Sequence, residues 1–259
     1  MKDVQQRTDA RGIKLNKVGV RGLEFPICLK SPDGAVVHTT GVFNFYADLP
    51  AELKGTHMSR FVESLQECIQ QEGTAFSVFG QAVERIKNSF KAEHVHLESF
   101  FTYFIVKTTP VTKKAVISPY KCGIIMNDSH SGFSKGDTLY VQVPVTTVCP
   151  CSLEISERGA HNQKAIVTVT LQAQEFTWFE DIIKLVEKQG SCEIFPLLKR
   201  EDEKFVTESM FDNPKFVEDV VRDVAVALRE SKLKLAHGKI ECESMESIHN
   251  HTAYAMFEW

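Results

Sequence analysis

Thiol, imidazole and carboxylate side chains gather in a few short stretches of this sequence. The first stretch, VPVTTVCPCSLEISERGAHNQ over residues 143–163, passes from apolar to polar and carries Cys149, Cys151 and His161. Thiolate sulfur and neutral imidazole nitrogen are the usual donors for zinc and related transition ions. The C-x-C spacing is not that of a zinc finger, and no second close cysteine pair is present to complete a closed structural site. Two or three donors with one position left open suit a catalytic metal. The bland alternative is a strand end that leaves one of Cys149 and Cys151 buried and the other exposed.

The second stretch, ESMESIHNHTAYA over residues 243–255, sets His249 and His251 two residues apart with Glu246 close by. On a strand the two imidazoles face one side. Imidazole titrates near neutrality and moves protons, and a carboxylate beside it orients the ring. A polar edge strand with solvated histidines has the same appearance. Between residues 197 and 223 the chain is dense in charge. Glu218 and Arg222 at i, i+4 can simply pair on a helix face; alternatively Glu203 ligates metal and Glu218 reads the donor groups of a ligand. Finally, KGTHMSRF over residues 54–61 opens a helix. Thr56 can cap it, and His57, Ser59 and Arg60 add donors to the free N–H groups that attract anions. An ordinary capped helix with an exposed arginine reads the same way. No P-loop, G-x-G-x-x-G or H-E-x-x-H pattern occurs.

The elements that must position these residues follow from periodicity and turn signals. Residues 17–30 and 35–48 predict a hairpin across Ser31-Pro32-Asp33-Gly34. Two helices follow, 57–71 and 74–92, broken at Gly73, the second with an apolar face of Phe76, Phe79, Val83, Ile86 and Phe90. Strands over 95–107 and 114–126 close the first half. The second half predicts strands at 138–148 and 165–174, helices at 178–188 and 214–230, and strands at 234–243 and 252–259. Asp212-Asn213-Pro214 reads as the start of the later helix, and 149–163 as a polar, loop-like segment. Strands with helices on one face imply an α+β layer whose open edges need covering, closure or pairing.

Composition sets the outer bounds. The chain has 259 residues, 43% of them hydrophobic and 25% charged, with a formal net charge of −4. These are globular values, and the net charge gives no general attraction for nucleic acid or an anionic membrane. The polar N-terminus has no apolar signal core, and no apolar run is long enough to span a bilayer. Seven scattered cysteines without a signal peptide argue against a disulfide framework, so the expected compartment is the cytoplasm.

Five of these stretches, VPVTTVCPCSLEISERGAHNQ, LKREDEKFVTE, NPKFVEDVVRDVA, ESIHNHTAYA and KGTHMSRF, together resemble the prokaryotic type IB GTP cyclohydrolase I family. The resemblance runs from about Val18 to the C-terminus, and Leu153 and Arg158 depart from the family's usual Lys and Tyr. It implies a tunnelling fold, with two ββααββ units per subunit and antiparallel sheets that form a barrel on oligomerisation. The expected layout is an N-terminal arm over 1–16 and units over 17–132 and 133–259 in one continuous bimodular domain. It also implies a homotetramer with active sites at subunit interfaces, GTP as substrate, and 7,8-dihydroneopterin triphosphate and formate as products. One divalent ion per site is implied, Zn, Mn or Fe, held by Cys149, His161 and Glu203, with Cys149 part of the catalytic set and Cys151 a less direct ligand or a redox guard. His249 and Glu246, supported by His251, take the proton-transfer roles. Glu218 anchors the purine, and Arg60, His57, Lys199 and Arg200 are the triphosphate candidates. Competing readings are a related tunnelling-fold nitrile reductase, with a cysteine nucleophile and NADPH, and a non-catalytic metal-binding oligomer. The CPC run followed by AHNQ and the intact HNH cluster argue against the reductase.

Overall fold

Alternating apolar residues and the Gly34 turn produce a long hairpin of β1 (Leu15–Lys30) and β2 (Val36–Leu49), paired antiparallel from Leu15↔Leu49 to Lys30↔Val36. Gly34 adopts φ +83°, the left-handed conformation that glycine takes without penalty, and Asp33 accepts from the Ala35 N–H to close the turn. This computed structural model describes residues 4, 5, 7–128 and 132–259; of the arm expected over 1–16, residues 1–3 and 6 lie outside the described residues. The rest of the arm is tied to the segment after β2 through Asp9 N–H to Glu52 O and Lys54 N–H to Arg7 O, each 3.0 Å.

Contacts divide the chain into two units, the first comprising Met1–Thr102, Gly123–Thr138 and Gln174–Phe176. It contains α1 (Met58–Ile69), α2 (Ala75–Phe90), most of β3 (Val95–Thr108) and the end of β4 (Ala115–Asn127), with strands ordered β1-β2-β3-β4. One sheet face carries Phe43 and Phe45 against the helices. Phe79 meets Phe43 edge-on at 5.2 Å, and Phe61 meets Phe45 at 5.4 Å. Of the apolar face expected on α2, Phe76, Phe79, Val83 and Ile86 are buried and Phe90 is half-buried beside Phe61. Helix α1 departs from expectation at its start. Its N-cap is His57, not Thr56, and no side chain caps it. Thr74 caps α2 by accepting from Ser77 N–H at 3.2 Å.

The second unit comprises Tyr103–Cys122, Leu139–Ala173 and Thr177–Trp259. It holds β5 (Thr138–Val148), α3 (Pro150–Ile155), β6 (Asn162–Ala173), α4 (Phe179–Glu187), β7 (Cys192–Glu193), α5 (Arg200–Asp212), α6 (Val217–Glu230), β8 (Leu235–Met245) and β9 (Thr252–Glu258). Strands run β5-β6-β8-β9, with the short β7 on β5 and β9 at the edge. The helix-facing side is apolar, from Leu139, Val141 and Val143 through Val167 and Val169 to Ile240; α6 packs on β8 and buries its own Val220 and Val224. The ββααββ order expected from the sequence is present in both halves, with α3, β7 and α5 as additions in the second.

Those additions have identifiable causes. Residues 149–163, expected as loop, contain α3 because Cys149 caps it, accepting from Ser152 N–H at 3.4 Å, and Pro150 occupies its first turn. The charged stretch from Arg200 to Asp212 forms α5, since Asp202 turns inward. Its carboxylate accepts from the backbone N–H groups of Val111 and Thr112 at 2.9 Å and of Lys199 at 3.2 Å. Asp212-Asn213-Pro214 therefore ends α5 at the Asn213 C-cap and does not start the next helix. Helix α6 starts at Val217, where Asp219 accepts from Phe216 N–H at 3.0 Å. Among the described residues no helix is long and apolar enough to cross a membrane.

Candidate active site

Strand alternation puts every second residue of β5, β6 and β8 on the helix-facing side. Toward one end of the second unit those rows change character together. Val145, Ala165 and Cys242 are buried and apolar, the next residues are Thr147, Gln163 and Ser244, and the next are Cys149, His161 and Glu246. The bond from Cys149 N–H to His161 O (3.1 Å) holds the β5 and β6 rows level, and the register Ala165↔Ser244 sets the β8 row back by one step, so that Ser244 lies opposite Ala165. A packed floor, a polar layer and a reactive layer follow in that order.

The reactive layer opens into a cavity of about 430 Å³ lined entirely by the second unit, including Cys149, His161, Glu218, Glu246, His249 and His251. His249 and His251 lie in the β8–β9 turn and not on a strand. The turn still stacks them, with ring centroids 5.0 Å apart and planes 14° apart, and His249 sits edge-on to His161 at 6.4 Å. Glu246 approaches His161 Nδ1 at 3.5 Å. Glu218 stands in the first turn of α6, and the pairing with Arg222 open to it at i, i+4 is not made. Arg222 meets Asp219 instead, at 3.6 Å. Lys215 lines the same wall, with Nζ bound to Asp223 at 2.7 Å and Gln189 O at 3.0 Å.

Ser152 joins the two soft donors. Its N–H donates to Cys149 Sγ, its hydroxyl donates to Cys149 O, and the same oxygen accepts from His161 N–H, both latter contacts at 3.2 Å. His161 Nδ1 is 3.0 Å from Gln163 Oε1, and Nε2 has no hydrogen-bond partner among the described residues. One thiol and one imidazole nitrogen are thus available at one cavity, a donor pair that suits a divalent transition ion. Cys242, one layer further in than Ser244, is a poor alternative: burial, aided by the charges of Glu218 and Glu243, pushes its thiol up to about 12.

The third expected ligand is not with them. Glu203 is exposed on α5 and does not line the cavity, and among the described residues no set of three His, Cys, Asp or Glu groups is arranged to hold a metal. Lys199 and Arg200 are exposed at the start of α5, also outside the cavity wall. His57 and Arg60 belong to the first unit, where the Arg60 guanidinium lies over the Phe90 ring at 5.5 Å and reaches Ser89 O at 3.4 Å. Cys151 is exposed on α3. Because the chain turns into a helix after Cys149, the two thiols do not share a strand end.

Sequence reasoning missed Thr147, Gln163, Ser244, Ser152 and Lys215. The signal for Thr147 and Gln163 was available: each continues the buried parity of its strand as a polar residue, just before a candidate ligand.

A family model described as type I GTP cyclohydrolase FolE2 matches residues 1–255. The chain is 47% identical to GTP cyclohydrolase FolE2 of Nitrosococcus oceani over 100% of its length and 95% of that protein's. It is 45% identical to that of Syntrophobacter fumaroxidans, over 100% and 99%. Among solved structures, a uricase from Bacillus fastidious superposes with a TM-score of 0.57 at 8% identity, covering 95% of this chain and 92% of that one. A urate oxidase from Bacillus sp. TB-90 gives 0.55 at 8% identity, covering 95% and 99%. At that identity the likeness concerns the fold alone, which is the tunnelling fold.

Proposed function

The chain belongs to the type I GTP cyclohydrolase FolE2 family, and from that premise we propose how its residues work. The reaction is that of a GTP cyclohydrolase, in which GTP and water give 7,8-dihydroneopterin triphosphate and formate at the start of tetrahydrofolate biosynthesis. The narrower type IB assignment, a cytoplasmic location and the division into an arm (1–16) and units 17–132 and 133–259 are part of our reading.

The observation that carries the residue roles is the single cavity shared by Cys149, His161, Glu218, Glu246, His249 and His251. Glu218 is not engaged by Arg222, so its carboxylate is available to accept from N1–H and the 2-amino group of guanine. Anchored by that edge, the purine presents its five-membered ring away from α6. The His249–His251 stack and Glu246 then deliver a proton to the imidazole nitrogen of the substrate, which makes C8 a better electrophile. Cys149 and His161 would hold the divalent ion, zinc, manganese or iron; Glu203, exposed on α5 outside the cavity wall, is the third ligand carried over from the family resemblance. When bound, that ion supplies Lewis acidity that makes water nucleophilic at neutral pH. Arg60, His57, Lys199 and Arg200 remain the triphosphate candidates. Since His57 and Arg60 are absent from the cavity wall, a neighbouring subunit of a homotetramer is the source we assign to them.

The test is direct. Reduced protein supplied with Zn²⁺, Mn²⁺ or Fe²⁺ is expected to release formate from GTP and to build a pterin that fluoresces after oxidation. GTP binding without either product would overturn the catalytic reading. Cys149→Ala should abolish turnover and lower metal content sharply by elemental analysis; full occupancy in that variant removes Cys149 from the ligand set.

A further inference from the structure

We propose that Gln163 is a positioning residue of the active site. Held by Thr147 and Ser244, it fixes the His161 proton on Nδ1 and leaves the Nε2 lone pair to the divalent ion. The inference rests on the metal role proposed for His161 and extends it to residues that touch neither metal nor substrate.

Gln163 is a bridge with defined ends. Its Oε1 lies 3.0 Å from His161 Nδ1, and its Nε2 donates to Thr147 Oγ1 at 3.1 Å. Thr147 in turn shares a 3.3 Å contact with Ser244 Oγ. Thr147 is 1% exposed and Ser244 0%, so this chain crosses three adjacent strands inside the protein. A buried hydroxyl or amide without a partner costs about 1–3 kcal/mol. Thr147 and Ser244, polar at positions otherwise apolar along their strands, are therefore tolerable only when satisfied, and their contacts lead through the half-buried Gln163 to a single atom, His161 Nδ1.

The orientation of the Gln163 amide is decided by its surroundings. Reversing it would place the NH₂ group against Nδ1 and require an unprotonated nitrogen there. That lone pair would also face Glu246 Oε2 at 3.5 Å, an unfavourable approach of two acceptors. With Oε1 toward the ring, Nδ1–H instead lies between two oxygens. A neutral imidazole with Nδ1 protonated is an acceptor only at Nε2, the atom left without a partner among the described residues. Glu246 is too far to fix the tautomer alone, so that role falls to Gln163.

The experiment reads the tautomer and the metal affinity separately. Long-range ¹H–¹⁵N spectra of metal-free protein labelled with ¹⁵N-histidine, recorded near pH 8 and assigned with His161→Gln, are expected to show His161 protonated at Nδ1. Gln163→Met should give a mixture of tautomers, and Gln163→Glu, which keeps an acceptor oxygen, should restore the Nδ1–H form. In chelator competition, Gln163→Met should weaken Zn²⁺ binding about 10–100-fold, the usual scale for removing such an outer partner, and Gln163→Glu should recover most of it. Should Gln163→Met fail to fold, Thr147→Val frees the amide without touching the ring and is expected to shift both readouts in the same direction. An Nε2–H tautomer in zinc-binding wild-type protein overturns the positioning role alone. Wild-type protein without Zn²⁺ affinity overturns the metal reading and, with it, the purpose assigned to the tautomer.

Discussion

Glu218 shows how much depends on one unmade contact. A helix-surface carboxylate four residues before an arginine ordinarily spends its charge on that neighbour, yet Arg222 turns to Asp219 and Glu218 faces the cavity. A carboxylate that accepts two hydrogen bonds from guanine acts on ground and transition states alike. Glu218→Ala should therefore raise KM for GTP about 10–100-fold with kcat little changed, measured by steady-state formate release. An unchanged KM would remove Glu218 from the purine site. Residues of this kind were legible from the sequence because Cys149, His161, His249 and Glu246 are chemically conspicuous types at short spacing. Gln163 and Thr147 are less conspicuous: each continues the inward parity of its strand as a polar residue, a signal that can be read in the sequence but does not say what the residue meets. Glu203 stayed ambiguous for a different reason: a carboxylate on a charged helix looks the same whether it ligates or is solvated.

At the scale of elements, α5 depends on Asp202. Burial alone would raise its carboxyl, but hydrogen bonds from the Thr112 hydroxyl and from the N–H groups of Thr112, Val111 and Lys199 outweigh that and hold it well below the ordinary range. The side chain is covered by these immediate neighbours yet lies near the protein surface. A depressed folded-state pKa contributes stability that is fully present above the unfolded value near 3.9 and is lost as pH falls toward the folded value. Urea unfolding of the wild type and Asp202→Asn should differ by a constant amount between pH 5 and 8. The gap should narrow only below about pH 4; a gap independent of pH in acid would deny the charge its role. In the first unit the equivalent support is aromatic. Phe79 is fully buried, edge-on to Phe43 at 5.2 Å and near Phe101 at 6.1 Å. Phe79→Ala should cost about 3–5 kcal/mol, seen as a large fall in Tm, while Zn²⁺ binding by the still-folded fraction at low temperature is retained.

For the whole molecule, the strand edges are where assembly would act. Among the described residues β1 pairs only with β2 and β9 only with β8, and β9 exposes Tyr254 and Met256. Such edges invite pairing with another copy. Light scattering is expected to give the mass of a tetramer, and Met256→Lys, a charge placed on the β9 edge, should lower the mass and the turnover together. A monomer at micromolar concentration with full activity would refute assembly as a requirement.

The sequence by itself determined the α+β class, the ββααββ order and the identities of the soft donors and histidines. Alternation, helical spacing and turn residues are local properties, and side-chain chemistry needs no neighbours to be recognised. Only the tertiary structure decided that α5 is a helix, that Pro214 follows its end, and that Gln163, Thr147 and Ser244 join in one chain of contacts beside Cys149, His161 and Glu246. Those outcomes depend on partners far apart in the chain: Asp202 is capped by Val111 and Thr112, and Thr147 meets Ser244. Hydrogen bonds of that reach have no period and no spacing, so nothing in the linear order of residues could have announced them.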